Sequence, residues 1–289
     1  MKYVERIEKR ASIREYKGKE ISQKLQEELF EFYRNEIHRL DSSIHTELRI
    51  FTDDAKNRLE GVAGYRGQAF GAPAYLVLLS EKKEYYLENA GYMGEDMILK
   101  LVDMDLDSCW ITVDDSDAVK KALLIESDLE VATVIAFGYG KKETAVNRLD
   151  IQTPASVKFT SRKGHVAPKI SQEDLAYKET WGTKMDWDTN AVDPLIDKAI
   201  HAASLSPSFF NRQPYRFVFF GKTLIAFAIK DEVSSNEDIL LDVGAMLLNF
   251  MVSYEEYGSL SCKWNLGEPE NISEIHAPDN YKAVGYFNM

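Results

Sequence analysis

The feature that most constrains this chain is that it nearly repeats itself. A shift of 153 residues lays A-G-Y-M (Ala90–Met93) on V-G-A-M (Val243–Met246) and Cys109 on Cys262, and brings Trp110 within one position of Trp264. A shift of about 150 lays I-A-F-G-Y near the C-terminal V-G-Y-F-N. Self-similarity at a fixed period is the mark of a repeated supersecondary unit. The order of predicted elements repeats too. In the first half, Leu25, Leu29, Phe32, Tyr33 and Ile37 recur at helical spacing and predict a helix over 22–38 with Ser22 as its N-cap. Strands follow at 47–51 and 74–79, then a helix over 89–104 with Ala90, Met93, Met97, Leu101 and Met104 along one face. An extended segment at 108–113, helical turns at 119–124 and a strand at 130–138 complete the half. The second half offers a short helix at 171–177, a helix at 191–204, strands at 215–220 and 223–229, a long helix at 239–257 and a strand at 283–287. The boundary is set at 1–165 and 166–289, two half-size units expected to pack pseudo-symmetrically. Between them, 141–169 is polar, broken by Pro154, Gly164 and Pro168, and reads as an irregular connector. The glycines at 61, 64, 67 and 71 read as a flexible loop over a site.

Bulk properties exclude several classes. A net charge of -12 argues against nucleic acid as a partner, since such proteins present a basic face. No apolar run is long enough to span a membrane, and the charged N-terminus is unlike a secretory leader. Two cysteines without metal-ligand spacing and five scattered histidines predict no metal site and no disulfide, hence a cytoplasmic protein. No G-x-S-x-G, Walker lysine or G-x-G-x-x-G is present.

Two polar clusters remain. Arg10, Ser12 and Arg14 alternate, so an extended backbone turns all three to one side. Two guanidiniums flanking a hydroxyl suit a phosphate; two solvated surface arginines are the plainer reading. The segment S-P-S-F-F-N-R-Q-P-Y-R-F-V-F (Ser206–Phe219) joins a helix to a strand through turn formers and amides. Asn211 and Gln213 could hydrogen-bond a polar ring edge or ribityl chain, or the segment could be a structural turn.

These clusters resemble a known family. R-A-S-I-R (Arg10–Arg14) resembles the R-x-S-x-R opening of the FMN-dependent nitroreductases, and S-P-S-F-F-N-R-Q-P-Y-R-F-V resembles their P-S-x-x-N-x-Q-P segment. The stretch from Ala90 to Ile111 is similar to their central dimer-core helix and the strand after it. Each polar motif occurs once, in opposite halves, as in the single-chain, pseudo-dimeric Thermotoga-type branch. The resemblance implies an α+β nitroreductase-like fold of two tandem half-size repeats, each a β-sheet packed with helices. It implies one FMN between the halves, NADH or NADPH as electron donor and a nitro-aromatic or quinone-like acceptor. A flavin-binding or sensing protein without turnover, or a dehydrogenase or dehalogenase on the same scaffold, are the alternatives.

Carried over residue by residue, the resemblance assigns Arg10, Ser12 and Arg14 to the phosphate and ribityl chain. It assigns Pro207, Ser208, Phe209 and Asn211 to the flavin from the other half, with Gln213 bracing their loop. Trp110, Ile111 and Thr112 would face the isoalloxazine edge, Gln68 the pyrimidine ring, and Arg162 and Lys163 would add a basic contact from the connector. No side chain is assigned an acid or base role, because the flavin carries the chemistry. A monomer acting as its own dimer is expected.

Overall fold

The computed structural model describes residues 1–141, 146–153, 156–162, 167–187, 193–258 and 262–288, with backbone alone for 146–153 and 156–162. Two sheets flank a central pair of helices. In the first half, α1 (Tyr3–Lys9) and α2 (Gln23–Asn35) precede β1 (Thr46–Phe51), α3 (Ala55–Leu59), β2 (Ala74–Ser80), α4 (Tyr86–Asp103), β3 (Asp107–Ile111), α5 (Ser116–Leu123) and β4 (Glu130–Gly138). These strands form an antiparallel sheet in the order β1-β2-β4-β3. Ser22 caps α2 by accepting the Leu25 amide, as its position predicted.

The connector contains a hairpin, β5 (Val146–Thr153) and β6 (Ser156–Arg162), where the sequence suggested irregular chain. Its register sets Leu149 opposite Phe159 and Ile151 opposite Val157. That short period-two alternation is masked by the surrounding charges and prolines. Then come α6 (Gln172–Leu175), β7 (Ala176–Lys178), α7 (Pro194–Ser204), β8 (Tyr215–Phe220), β9 (Thr223–Ile229), α8 (Asn236–Gly258), β10 (Asn265–Leu266) and β11 (Tyr281–Asn288). The second sheet runs β10-β11-β9-β8-β7, with only the β7–β8 pair parallel among its described pairings.

Strand β2 is buried along its length because both faces are covered. Ala74 and Leu76 point to α2 and α4, while Tyr75, Val77 and Leu79 point to α3 and α5. The second sheet divides likewise, Tyr215, Phe217 and Leu224 facing α7 and α8, Val218, Ile225 and Phe227 facing away.

Helix α4 was expected to bury one face. It buries every residue from Leu87 to Leu99, including Glu88, Asn89, Glu95 and Asp96. The reason is α8, which lies against the side the first sheet leaves open. The two cross at Gly91 and Gly244. A Cβ on Gly91 would collide with the Leu241 carbonyl, and a Cβ on Gly244 with the Glu88 carbonyl. A shift of 153 carries Gly91 onto Gly244 and Glu88 onto Leu241. The contact is therefore self-complementary, as at a two-fold axis. The protein folds as two tandem half-size repeats packed as a pseudo-dimer.

Candidate functional site

Helix α1 ends as the Arg10 amide donates to the Arg6 carbonyl, after which the chain extends along β3. Ile13 donates to the Ser108 carbonyl at 2.8 Å and Ser12 bridges Ser108 in parallel. This fixed, extended run holds the alternation of Arg10, Ser12 and Arg14 at one wall of a cavity of about 1120 Å³. The opposite wall comes from the second half. There α7 stops at Ser204, and Pro207, Ser208, Phe209, Phe210 and Asn211 line the space. The volume lies just above the ~300–1,000 Å³ usual for ligand pockets.

The second-half loop is held in an unusual shape. Phe210, Asn211 and Gln213 have φ of 48°, 57° and 51°, a left-handed conformation that costs non-glycine residues energy. Hydrogen bonds offset that cost. The Phe209 amide donates to Asp242 at 2.9 Å, and the Gln213 amide to the Ser208 hydroxyl at 2.9 Å. Gln213 accepts the Ile170 amide at 2.7 Å, and Asn211 donates to the Pro168 carbonyl at 2.7 Å. Gln213 thus lies buried behind the loop, outside the cavity lining.

Gln68, Trp110, Ile111 and Thr112 also line the cavity. The Thr112 carbonyl is engaged, accepting the Gly64 amide at 2.7 Å. That bond docks the glycine-rich loop over β3 and brings Tyr65 to Phe209 and Phe210, at centroid distances of 6.3 and 4.7 Å. Trp110 sits on Gly94, where any side chain would strike its ring. Of the predicted connector contacts, Lys163 and the Arg162 side chain lie outside the described residues.

Charged groups that sequence reasoning missed lie at the cavity wall, Lys169 and Asp242 in its lining and Glu95 behind Arg10. Lys169 donates to the Ser206 carbonyl at 2.6 Å and to Asn211 Oδ1 at 3.3 Å. Burial, then the nearby Arg10 guanidinium, lowers its ammonium to about 8, opposed by Glu95 and Asp242. Asp242 is half-buried at the cavity wall, and desolvation holds its carboxyl well above the usual range despite the Phe209 amide. Glu95 is 0% exposed and lies 3.6 Å from Arg10 Nε. Neither Glu95 oxygen has a hydrogen-bond partner within normal geometry, nor does Trp110 Nε1. Burial raises Glu95 to about 7 against the opposing pull of Arg10. A signal for these residues existed: Glu95, Asp96, Asp242 and Asn249 are polar residues set in otherwise apolar helical stretches. Among the described residues no group of His, Cys, Asp and Glu could hold a metal ion. No described helix is long and apolar enough to cross a membrane.

Comparison with known proteins follows the same lines. The overall structure is similar to a putative nitroreductase from Thermotoga maritima MSB8, with TM-score 0.60 and 14% identity over 100% of this chain and 94% of that one, a likeness of fold. An FMN-dependent nitroreductase from Clostridium difficile R20291 matches 48% of this chain and 88% of its own, at 22% identity and TM-score 0.41. A putative NADH oxidase from Clostridium acetobutylicum matches 48% of this chain and 89% of its own, at 22% identity and TM-score 0.42. No curated protein matches the sequence. The family model described as "Putative TM nitroreductase" matches residues 2–254, and the chain belongs to that nitroreductase family.

Proposed function

We propose that the protein is an FMN-dependent NAD(P)H oxidoreductase of nitroreductase type, acting on nitro-aromatic or quinone-like acceptors. The observation that carries this reading is the cavity between the halves, where Arg10, Ser12 and Arg14 of one half face Lys169, Ser208 and Asn211 of the other. Its contents suit a flavin mononucleotide. A phosphate monoester needs cations and hydroxyl or amide donors, and both halves supply them. A planar ring needs flat apolar walls, and Trp110, Ile111 and Leu241 line the same space.

When bound, FMN would supply the redox chemistry, taking hydride from NADH or NADPH and passing it to the acceptor. The chain's own part is to hold and shield. Arg10, Ser12, Arg14 and Lys169 would bind the phosphate and the adjoining ribityl chain, Lys169 serving as the basic contact sought in Arg162 and Lys163. Pro207, Ser208, Phe209 and Asn211 would line the flavin, and Gln213 would act through the Ser208 hydroxyl it engages. Trp110, Ile111, Thr112 and Gln68 would border the ring. Tyr65 and Phe210, 45% and 54% exposed, form the aromatic rim against water. No side-chain acid or base is assigned. The repeats, 1–165 and 166–289, would work as one chain with one flavin.

The test is a spectrum of the purified protein followed by anaerobic titration with NADH and NADPH. The expected protein is yellow, releases FMN on heating, bleaches with a reduced nicotinamide, and turns over menadione or nitrofurazone. Colourless protein that takes up no flavin overturns the reading. Bound flavin that neither nicotinamide reduces transfers the protein to the sensing class.

A further inference from the structure

We propose, resting on the FMN reading above, that Glu95 is the internal counter-ion of the phosphate subsite. It holds Arg10 in the ligand-free chain and surrenders it, taking a proton from solvent, when a phosphate monoester binds between Arg10 and Lys169.

The geometry carries the argument. Glu95 projects from the middle of α4 and is wholly buried, yet its oxygens have no hydrogen bond of normal geometry, only the N–H groups of Trp110 and Asn249 beside them. A buried carboxylate left in that condition is costly, and Arg10, 3.6 Å away, is its nearest compensation. Arg10 is itself loosely held. Its other contacts are the Ser12 hydroxyl and the Leu205 carbonyl, each at the 3.5 Å limit. Its guanidinium is therefore available to a stronger partner, and a phosphate accepts two parallel N–H bonds.

Every charged neighbour bears on the exchange. Arg10 faces Glu95 from the segment after α1, and Lys169 faces it from the start of the second half. Asp242 on α8 acts on Lys169, and both Glu95 and Asp242 act on the buried Tyr215 hydroxyl on β8. Trp110 on β3 and Asn249 on α8 are its uncharged neighbours. A dianion set between Arg10 and Lys169 adds negative charge beside Glu95 and withdraws its cation. Both changes favour the neutral carboxyl, whose burial already pushes it up to about 7. The balance is simple: one carboxylate plus one solvent proton gives one carboxylic acid, with no bond made or broken elsewhere. The repeat supports a specialised role, since the position equivalent to Glu95 in α8 is Leu248, an ordinary core residue.

The test is titration calorimetry of the flavin-free full-length protein in buffers of different ionisation enthalpy, which counts protons exchanged on binding. At about pH 8 the FMN phosphate is already dianionic and contributes little of its own. FMN should be bound with net proton uptake and riboflavin, which lacks the phosphate, with none. Inorganic phosphate should give uptake of the same sign, separating the phosphate's contribution from the ring's. Lys169→Arg stays charged and removes any uptake by the lysine; adding Glu95→Gln in that background should abolish the remainder. The pH dependence of FMN affinity should flatten in parallel, from a slope approaching about tenfold per pH unit for a full proton. FMN binding without uptake, equal uptake with riboflavin, or uptake unchanged by Glu95→Gln overturns the proposal. If the double variant fails to fold, Lys169→Arg alone decides: FMN-specific uptake that persists in it supports the proposal, and uptake lost with it overturns the proposal. Failure of FMN to bind defeats the cofactor reading, and this proposal falls with it unless inorganic phosphate still elicits uptake.

Discussion

The same position on the two central helices secures a loop in each half, with opposite results. Asn89 on α4 accepts the amides of Leu40 and Asp41 at 3.0 and 3.1 Å; Asp242 on α8, its equivalent, accepts that of Phe209 at 2.9 Å. Two turns further, Asp96 and Asn249 correspond. Asp96 is saturated by the Tyr3 hydroxyl at 3.0 Å, the His38 amide at 2.8 Å and His38 Nδ1 at 2.9 Å. Asn249 donates to the Ser206 hydroxyl at 2.8 Å, and its own oxygen has no partner. The near-equivalent tryptophans diverge in the same way. Trp264 donates to the Leu247 carbonyl inside a cluster with Phe217, Phe250 and Phe287. Trp110 lines the cavity, its N–H buried beside Glu95 and outside normal hydrogen-bond geometry. The lesson is that the repeat preserves the scaffold, while the polar groups close on one another around the first-half loop and keep unfilled hydrogen-bonding capacity beside the second.

The sharpest way to break that contrast is to delete an arginine beside each loop. Arg10→Ala should weaken FMN binding by about 100-fold, or ~3 kcal/mol, as expected when a buried charge loses its partner. Arg39→Ala, just before the first-half loop amides, should leave affinity unchanged within about twofold. Equal losses, measured by flavin fluorescence quenching, would end the claim of asymmetry.

A second probe uses acid. Burial raises Glu95 from 4.5 in the unfolded chain to about 7 in the fold. Its contribution to stability is therefore complete below the unfolded value and is lost as pH rises through the folded one. The difference of some 2.5 units, at 1.36 kcal/mol each, is on the order of 3 kcal/mol. Urea midpoints should fall between about pH 4.5 and 8, and Glu95→Leu, copying Leu248, should flatten that part of the profile. An unchanged profile would remove Glu95 as the cause.

The symmetry of the helix crossing can be measured directly. Gly91→Ala and Gly244→Ala should each destabilise by about 1–3 kcal/mol, since the added Cβ meets a carbonyl that cannot move freely. Markedly unequal losses would show that the crossing is not the self-complementary contact described. The smallest effect is expected from Asp242→Asn, which installs the residue of the other half. The amide oxygen can still accept the Phe209 N–H, and a half-buried acid is removed, so stability should shift by no more than about 0.5 kcal/mol.

Much of the fold was legible because it rests on local pattern. The Ser22 cap, the continuous apolar run of β2 and the paired glycines of the two long helices are all written within short windows. The hairpin of 146–162 was not, because its pairing signal is short and sits among charges. The outline of the cavity was legible through two motifs whose residues line it from opposite halves. Gln213 was read as a ligand-facing amide and as a brace; its side chain accepts the Ile170 amide and its own amide donates to Ser208, behind the loop.

The sequence by itself determined that the chain is duplicated, which helices are apolar, and which two polar segments are set apart from ordinary surface. Only the tertiary structure decided that Arg10, Lys169 and Asp242 line one cavity with Glu95 buried behind Arg10. These residues lie on four segments spread across the chain, and their meeting depends on where α4 crosses α8. The crossing is set by bare backbone at Gly91 and Gly244, and a missing side chain shows what can approach but not what does.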